Sequence, residues 1–390
     1  MISDSPAIGA QNTIRQHPLF PFLDLKAQFS QISEEVLAAI KRVLESQVLI
    51  LGPELDALER ELKDYLQCGF AIGCASGSDA LLLALMALDV GPEDEVVTTP
   101  FTFVATAGSI SRLKARPVFV DIDPDTYNID ARKIEAAITT RTRAIIPVHL
   151  FGLAGDMQPI LEIARKHNLP VIEDAAQAIS ARYKDVPVGG LGTCGCFSFF
   201  PSKNLGGAGD GGLISTNDAA LAERLKMLRV HGSRTKYHYE ALGMNSRLDA
   251  LQAAILRVKL RHLDSWKELR QSNAERYRLL FQEYGLGYGI GLPVVPEDRT
   301  HVFNQFVIRS RERDELREHL QRSGIPTEIY YPLPLHLQPA FAYLEYRKGD
   351  FPEAEAASRE VLALPIFPEL TGEQQVSIVE AIAEFYSDRK

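Results

Sequence analysis

A chain of 390 residues, 46% hydrophobic and 24% charged, has ordinary globular composition, enough for one large domain and a smaller one. Glycine and proline at average levels exclude collagen-like and low-complexity readings. A formal net charge of −9 with no long basic run argues against a nucleic-acid or anionic-membrane surface.

The N-terminal stretch "MISDSPAIGAQNTIRQHPLF" has no basic start followed by an apolar core, so it does not read as a signal peptide, and residues 1–18 read as a flexible arm. "SEEVLAAIKRVLES" and "GPELDALERELKDYLQC" carry apolar residues at helical spacing. "FAIGCASGSDALLLALMAL" then changes period: a short apolar strand, a small-residue turn, and a buried helix. Its most apolar part, "DALLLALMALDV", has 12 residues, well short of the about 20 a membrane span needs. The expectation is a soluble, cytoplasmic protein.

Strand-like runs recur at "EVVTTP", "RPVFVDID", "RAIIPVHL", "LPVIEDAA", "CGCFSFF" and "GGLIST", some separated by helical stretches such as "MQPILEIARKHN". Several are continuous apolar runs, as strands buried on both faces require. The alternation predicts an α/β sheet of mainly parallel strands from about residue 70 to 220. From about residue 260 the texture changes. "RLDALQAAILRVKLRHLDSWKELRQSNAERYRLLF" reads as one long charged helix, followed by the turn "GLPVVPEDRT", the strand-like "HVFNQFVIRS", the helix "RDELREHLQRSG" and the irregular "TEIYYPLPLHLQPAF". The division expected is an arm at 1–18, a large domain at 19–258 and a smaller α+β domain at 259–390. The four cysteines, Cys68, Cys74, Cys194 and Cys196, form no C-x-x-C, and no clustered histidines complete a zinc site. They read as reduced structural thiols, with no metal.

In open α/β sheets, ligands bind outside the carboxyl ends of the strands. "CASGSDAL" is a strand end opening a helix, where free N–H groups and the positive dipole end suit a phosphate; equally, Ser78 or Asp79 could simply cap the helix. "VIEDAAQA" ends a buried strand in Glu173 and Asp174, with Gln177 close behind. Glu173 suits a cap or salt bridge, and Asp174 could hold a cationic ligand nitrogen. "PFTFVATA" offers Phe101 and Phe103 as core or as a ring platform.

"SFFPSKNLGGAGDGG" places Lys203 between an aromatic run and five glycines in seven residues. The glycines fit a dinucleotide fingerprint by spacing, but they run into a strand where that motif needs a helix. They would instead let backbone approach a bound group closely. A desolvated or cation-flanked lysine there can form a Schiff base. A phosphate turn, an aromatic, an aspartate and a lysine, in that order, are the parts a pyridoxal-phosphate enzyme needs. Asp174 and Lys203 lie 29 residues apart on neighbouring strand ends.

These residues resemble the DegT/DnrJ/StrS family of nucleotide-sugar aminotransferases. The resemblance runs from "FPFLDLKAQ" through "ILGPELDALE", "GSDALLLAL", "PFTFVATA", "VDIDPDTYNID", "VIEDAAQA", "FFPSKNLGGAGDGG" and "GMNSRLDALQAAIL" to "IYYPLPLHLQPAF" and "LALPIFP". It implies fold type I of the pyridoxal-phosphate enzymes, with a mainly parallel seven-stranded sheet between helices and a smaller C-terminal α+β domain. By resemblance Lys203 carries the cofactor and moves protons, and Asp174 pairs with the pyridinium nitrogen. Gln177 contacts the ring hydroxyl and Phe103 stacks on the ring. Gly77, Ser78, Asp79 and Ser198 form the phosphate cup. Asn245 reaches the phosphate from the other subunit, implying a homodimer with shared sites. His336, Tyr331 and Arg247 fall on the substrate side. Two departures stand out: Ser78 where many relatives have Thr, and Ser246 in place of a common Tyr.

The implied reaction moves an amino group from L-glutamate, through pyridoxal and pyridoxamine 5'-phosphate, to a nucleotide-linked keto-sugar for amino-sugar biosynthesis (lipopolysaccharide, O-antigen or antibiotic sugars). "GAGDGG" resembles enzymes acting at C3, here of a UDP-2-acetamido-3-keto sugar. The alternatives are C4 amination of a UDP- or dTDP-4-keto sugar, pyridoxal-phosphate-dependent sugar dehydration, which would favour His in place of Lys203, and a regulatory homologue.

Overall fold

The structure is a computed structural model that describes residues 19–287 and 289–387, and the arm expected at 1–18 lies outside the described residues. In chain order the strands of its main sheet are β1 (Phe70–Cys74), β2 (Glu95–Thr98), β3 (Arg116–Phe119), β4 (Thr142–Ile145), β5 (Ile172–Asp174), β6 (Cys194–Ser198) and β7 (Gly212–Thr216). Continuous pairing joins β1, β7, β6 and β5 in one run and β3, β2 and β4 in another. Parallel bridges from Ile145 to Val171 and from Val148 to Asp174 join the two runs. The result is the expected seven-stranded, mainly parallel sheet, with β7 running antiparallel to both its neighbours.

Alternate residues of each strand feed opposite cores. Val96, Ala144, Cys196 and Ile214 pack with Leu81 and Leu225 on one face. Val97, Ile145, Phe197 and Leu213 pack with Leu58 and Ile160 on the other. With both faces covered, apolar side chains are wanted at every position, which explains the unbroken apolar runs. The glycine loop leads directly into β7, so the dinucleotide reading fails on structure as it did on order.

The long charged helix is two helices, Ala250–Leu260 and Leu263–Glu283. Arg261 and His262 close the first with short turns, their N–H groups donating to Val258 O and Lys259 O. The break has a packing cause. Ala253 and Leu256 belong to the main core, whereas Tyr277 and Phe281 belong to a second one with Phe306, Leu362 and Ile378. A straight helix could not aim its apolar stripe at both. The second core lies against a small antiparallel sheet of β8 (Ile290–Gly291), β9 (Phe306–Ser310) and β10 (Val361–Leu364). Phe20, near the first described residue, packs into this second core. Cys68, Cys74, Cys194 and Cys196 are free and buried, and no described helix is long and apolar enough to cross a membrane.

Candidate active site

The carboxyl ends of β5 and β6 converge on the residues singled out above. Asp174, the last residue of β5, is buried. Its Oδ2 accepts from Thr106 Oγ1 at 2.7 Å and its Oδ1 from the Ala176 N–H at 3.2 Å. Burial pushes its pKa up, while the Thr106 and Ala176 bonds and the charge of Lys203 pull it down. The neighbouring Glu173 does structural work. Its carboxylate accepts from the N–H groups of Gly189, Leu191 and Gly192 and meets His149 Nε2 at 3.0 Å. The Gly155 N–H donates to His149 Nδ1, so the ring proton sits on Nε2, facing Glu173.

Lys203 keeps part of its surface, but its amine sits in the desolvated site. Burial pushes that amine down to about 8, with the charge of Asp174 opposing. Each of the pair is thus displaced toward its neutral form, because lost hydration outweighs their mutual attraction. The loop carrying Lys203 is fastened on several sides. Asn204 Nδ2 donates to Val302 O, Lys259 Nζ to Gly206 O, and the Ala208 N–H to Gln252 Oε1.

The glycines of this loop make room for protein, which corrects the expectation that they admit a bound group. A Cβ on Gly206 would meet Pro201 O at 2.3 Å, and one on Gly207 would meet Gln252 Oε1 at 2.7 Å. On Gly212 it would meet Ser76 O at 2.3 Å, at the start of the helix Gly77–Ala87. From the other side, a Cβ on Gly77 would meet Ser198 Cβ at 2.7 Å. Two glycines therefore let the helix start wedge between the ends of β6 and β7. Its first turn keeps the N–H groups that no helical carbonyl can satisfy. The cap is Ser76, not Ser78 or Asp79: its side chain accepts from the Asp79 N–H at 3.1 Å, and Gly77 and Ser78 belong to the helix. The cause is local, since Ser76 is extended and its hydroxyl is in reach of the third helical N–H. Asp79 accepts from the buried Ser246 hydroxyl, to which the Ala75 N–H also donates. Ser246, the departure from a common Tyr, ties the Asn245 segment to this helix start.

Phe103 caps the helix Val104–Arg112 and is 56% exposed, whereas Phe101 is fully buried among Tyr127, Phe151 and Tyr331. Of the two aromatics, only Phe103 offers a free ring face. Gln177 Oε1 accepts from the Phe151 N–H and its Nε2 donates to Tyr331 OH at 3.2 Å, so these two expected contacts meet each other. Burial raises the Tyr331 phenol well above its ordinary range. The His336 side chain is fully enclosed, with Nε2 3.1 Å from Glu355 Oε1 and its ring against Phe351. Asn245 and Arg247 line an open cleft of about 600 Å³ with Ala75, Gly209 and Asp210; neither Lys203 nor Asp174 lines it. Thr106, Thr102 and Gln252 were not anticipated. The four-residue spacing of the two threonines in "PFTFVATA" was the available signal for that pair.

The residues fit pyridoxal phosphate on observations made within this chain. A glycine-built helix start supplies free N–H groups beside Ser198, an enclosed carboxylate faces the site, and one desolvated amine stands opposite it. Among the described residues no His, Cys, Asp and Glu cluster suits a metal ion.

Residues 30–383 match the DegT/DnrJ/EryC1/StrS aminotransferase family. A pleiotropic regulatory protein of Geobacillus stearothermophilus is 54% identical over 94% of this chain and 98% of its own length. A UDP-N-acetyl-3-dehydro-alpha-D-glucosamine 3-aminotransferase of Acidithiobacillus ferrooxidans is 47% identical, over 94% of this chain and 98% of its own. Among solved structures, DesV of S. venezuelae in complex with a ketimine intermediate superposes with a TM-score of 0.91 at 46% identity, covering 94% of this chain and 98% of that one.

Proposed function

The chain belongs to the DegT/DnrJ/EryC1/StrS aminotransferase family, and from that premise we propose that it moves the amino group of L-glutamate to C3 of a UDP-linked 2-acetamido-3-keto sugar in the cytoplasm. The observation that carries the reading is that Asp174 at the end of β5 and Lys203 on the loop beyond the adjoining β6 lie within reach of each other's charge, beside an open helix N-terminus. Bound there, pyridoxal phosphate supplies the electron sink and the amino-group carrier. The chain's own residues do the rest. The Gly77 and Ser78 N–H groups and the Ser198 hydroxyl would hold its phosphate, the Phe103 ring would back its pyridine, and Gln177 would serve its hydroxyl. Asp174 holds a proton at the pyridine nitrogen. Lys203 moves the proton at Cα of the amino donor and, in the second half-reaction, at the sugar carbon that receives the amine.

The choice of C3 is supported by the "GAGDGG" loop and by the reaction in the name of the Acidithiobacillus relative. Moving the ketone from C3 to C4 displaces the reacting carbon by about one bond, and a misplacement of about 1 Å can cost on the order of 100-fold in rate. The enzyme should therefore aminate a 3-keto UDP-sugar about 100-fold faster than its matched 4-keto isomer, with L-glutamate as donor. NMR of the product, run in parallel with UDP- and dTDP-sugars, locates the amine. Amination at C4 with the 3-keto sugar untouched would overturn this choice and leave aminotransfer intact.

The proposal includes a homodimer that shares its sites. An apolar strip on the helix Leu25–Ser46 supports it: Leu25, Phe29, Leu37 and Leu44 are exposed, as are Val48, Leu49 and Ile50 just beyond. If Asn245 serves the partner's phosphate, a mixed dimer of Asn245→Ala and Lys203→Ala subunits has one doubly defective site and one intact site. An equal mixture that exchanges freely should recover about a quarter of wild-type activity. No recovery after demonstrated exchange would mean that Asn245 serves its own subunit. The name of the Geobacillus relative favours a second, regulatory reading. A holoprotein that binds its cofactor but transaminates no sugar of the panel would support it over the enzyme.

A further inference from the structure

Two threonines stand behind Asp174. Thr106 lies fully buried in the first turn of the helix Val104–Arg112 and donates to Asp174 Oδ2 at 2.7 Å. Thr102, also buried, places its Oγ1 3.0 Å from Thr106 Oγ1. A carboxylate only accepts, so the single hydroxyl proton of Thr106 goes to Asp174, and Thr102 must donate to Thr106. The chain of hydroxyls has one direction, and each bond polarises the next. With the Ala176 N–H on the other oxygen, both Asp174 oxygens are pinned.

We propose that Thr106, with Thr102 behind it, is a positioning residue that holds the Asp174 carboxylate, ionised and in one orientation, toward the cofactor's pyridine nitrogen. This rests on the role given to Asp174 above. One short stretch, Thr102 to Thr106, then serves the site twice, since it also carries the exposed ring of Phe103. Among the bonds and charges that pull Asp174 down against burial, the Thr106 bond is the largest. The other titratable groups facing Asp174 are Lys203 on the glycine loop, His149 beyond β4, Cys196 on β6 and Tyr331. None of them bonds to its two oxygens in place of Thr106 and Ala176.

The test compares Thr106→Val, which removes the donor at nearly constant volume, with Thr106→Ser, which keeps it. In apoprotein carrying carboxyl-13C aspartate, with the Asp174 signal identified from Asp174→Asn, the Asp174 titration midpoint should move up in T106V and stay in place in T106S. T102V should move it the same way by less. In the holoenzyme, kcat of the L-glutamate half-reaction should fall about ten- to a hundredfold in T106V, the worth of a hydrogen bond to a charged group, and T106S should restore most of it. If T106V does not fold, Thr106→Cys, a weaker donor of similar size, should show the same direction of shift. An unmoved midpoint in the donor-weakened variant, or a T106S that behaves like T106V, would overturn the proposal. Full activity in D174N would instead unseat the role of Asp174, and leaves the midpoint comparison readable on its own.

Discussion

Changing Lys203 to alanine should leave a folded protein that still binds pyridoxal phosphate but transaminates at least about 10²–10⁴-fold more slowly, the range lost with a positioned proton-transfer group. Folding should survive because the loop is fastened without this side chain. The Lys203 N–H donates to Phe200 O, and Asn204, Lys259 and Gln252 make the remaining ties. In the wild-type protein, borohydride treatment with the cofactor present should fix it to the peptide containing Lys203. The rival is Lys259, also desolvated by burial and bonded to the same loop. Label on Lys259 would sink the assignment. Acidity separates Lys203 from an ordinary lysine as well. Only the free amine captures an aldehyde, and burial sets Lys203 to about 8. Capture by the apoprotein should quicken as pH rises through about 8 and then level off. An ordinary lysine would keep accelerating toward pH of about 10.

What the amino-acid order made legible depended on how locally each feature is determined. The seven strands could be read because a strand covered on both faces must be apolar throughout, and "RAIIPVHL" or "CGCFSFF" allow little else. Asp174 could be singled out because it closes such a run, and Lys203 because it stands in the loop that follows one, ahead of the glycines. The helix break at Arg261–His262 was not legible. Both halves are good helix sequence, and the break is imposed by two cores lying in different directions. The glycines of "GGAGDGG" misled for a related reason. Their neighbours are Pro201, Gln252 and Ser76, which only the folded chain brings together. In the sequence nothing but its spacing from Thr102 marks Thr106 within "PFTFVATA"; its hydroxyl gains meaning only because β5 places Asp174 beside it. His336 shows the reverse: a residue picked by resemblance for the substrate side is here shut against Glu355 and Phe351.

Asp174→Asn should give a protein that is more stable without cofactor and nearly inactive with it. The stability follows from linkage. The pKa of Asp174 is raised in the folded chain, so the folded state holds its proton more tightly than the unfolded state does. The penalty for its charge is absent below the unfolded value of about 3.9, grows as pH rises toward the folded value, and is complete above that. At any pH above the unfolded value the wild-type apoprotein therefore bears some of this penalty, and asparagine, of nearly the same shape, removes it. Thermal unfolding of the two apoproteins should show the variant melting higher at pH 7 and the gap closing in acid. Activity should move the other way. A neutral amide cannot balance a protonated pyridine, and removing one partner of a buried charge pair costs about 2–5 kcal/mol, roughly 30- to several-thousand-fold in kcat. A variant that keeps full turnover would mean that another group balances the pyridine nitrogen. A variant that melts no higher at pH 7 would mean that Asp174 is not held there as a costly buried charge. The two measurements together ask whether this chain gives up stability at the end of β5 in order to keep a charge where the chemistry needs it.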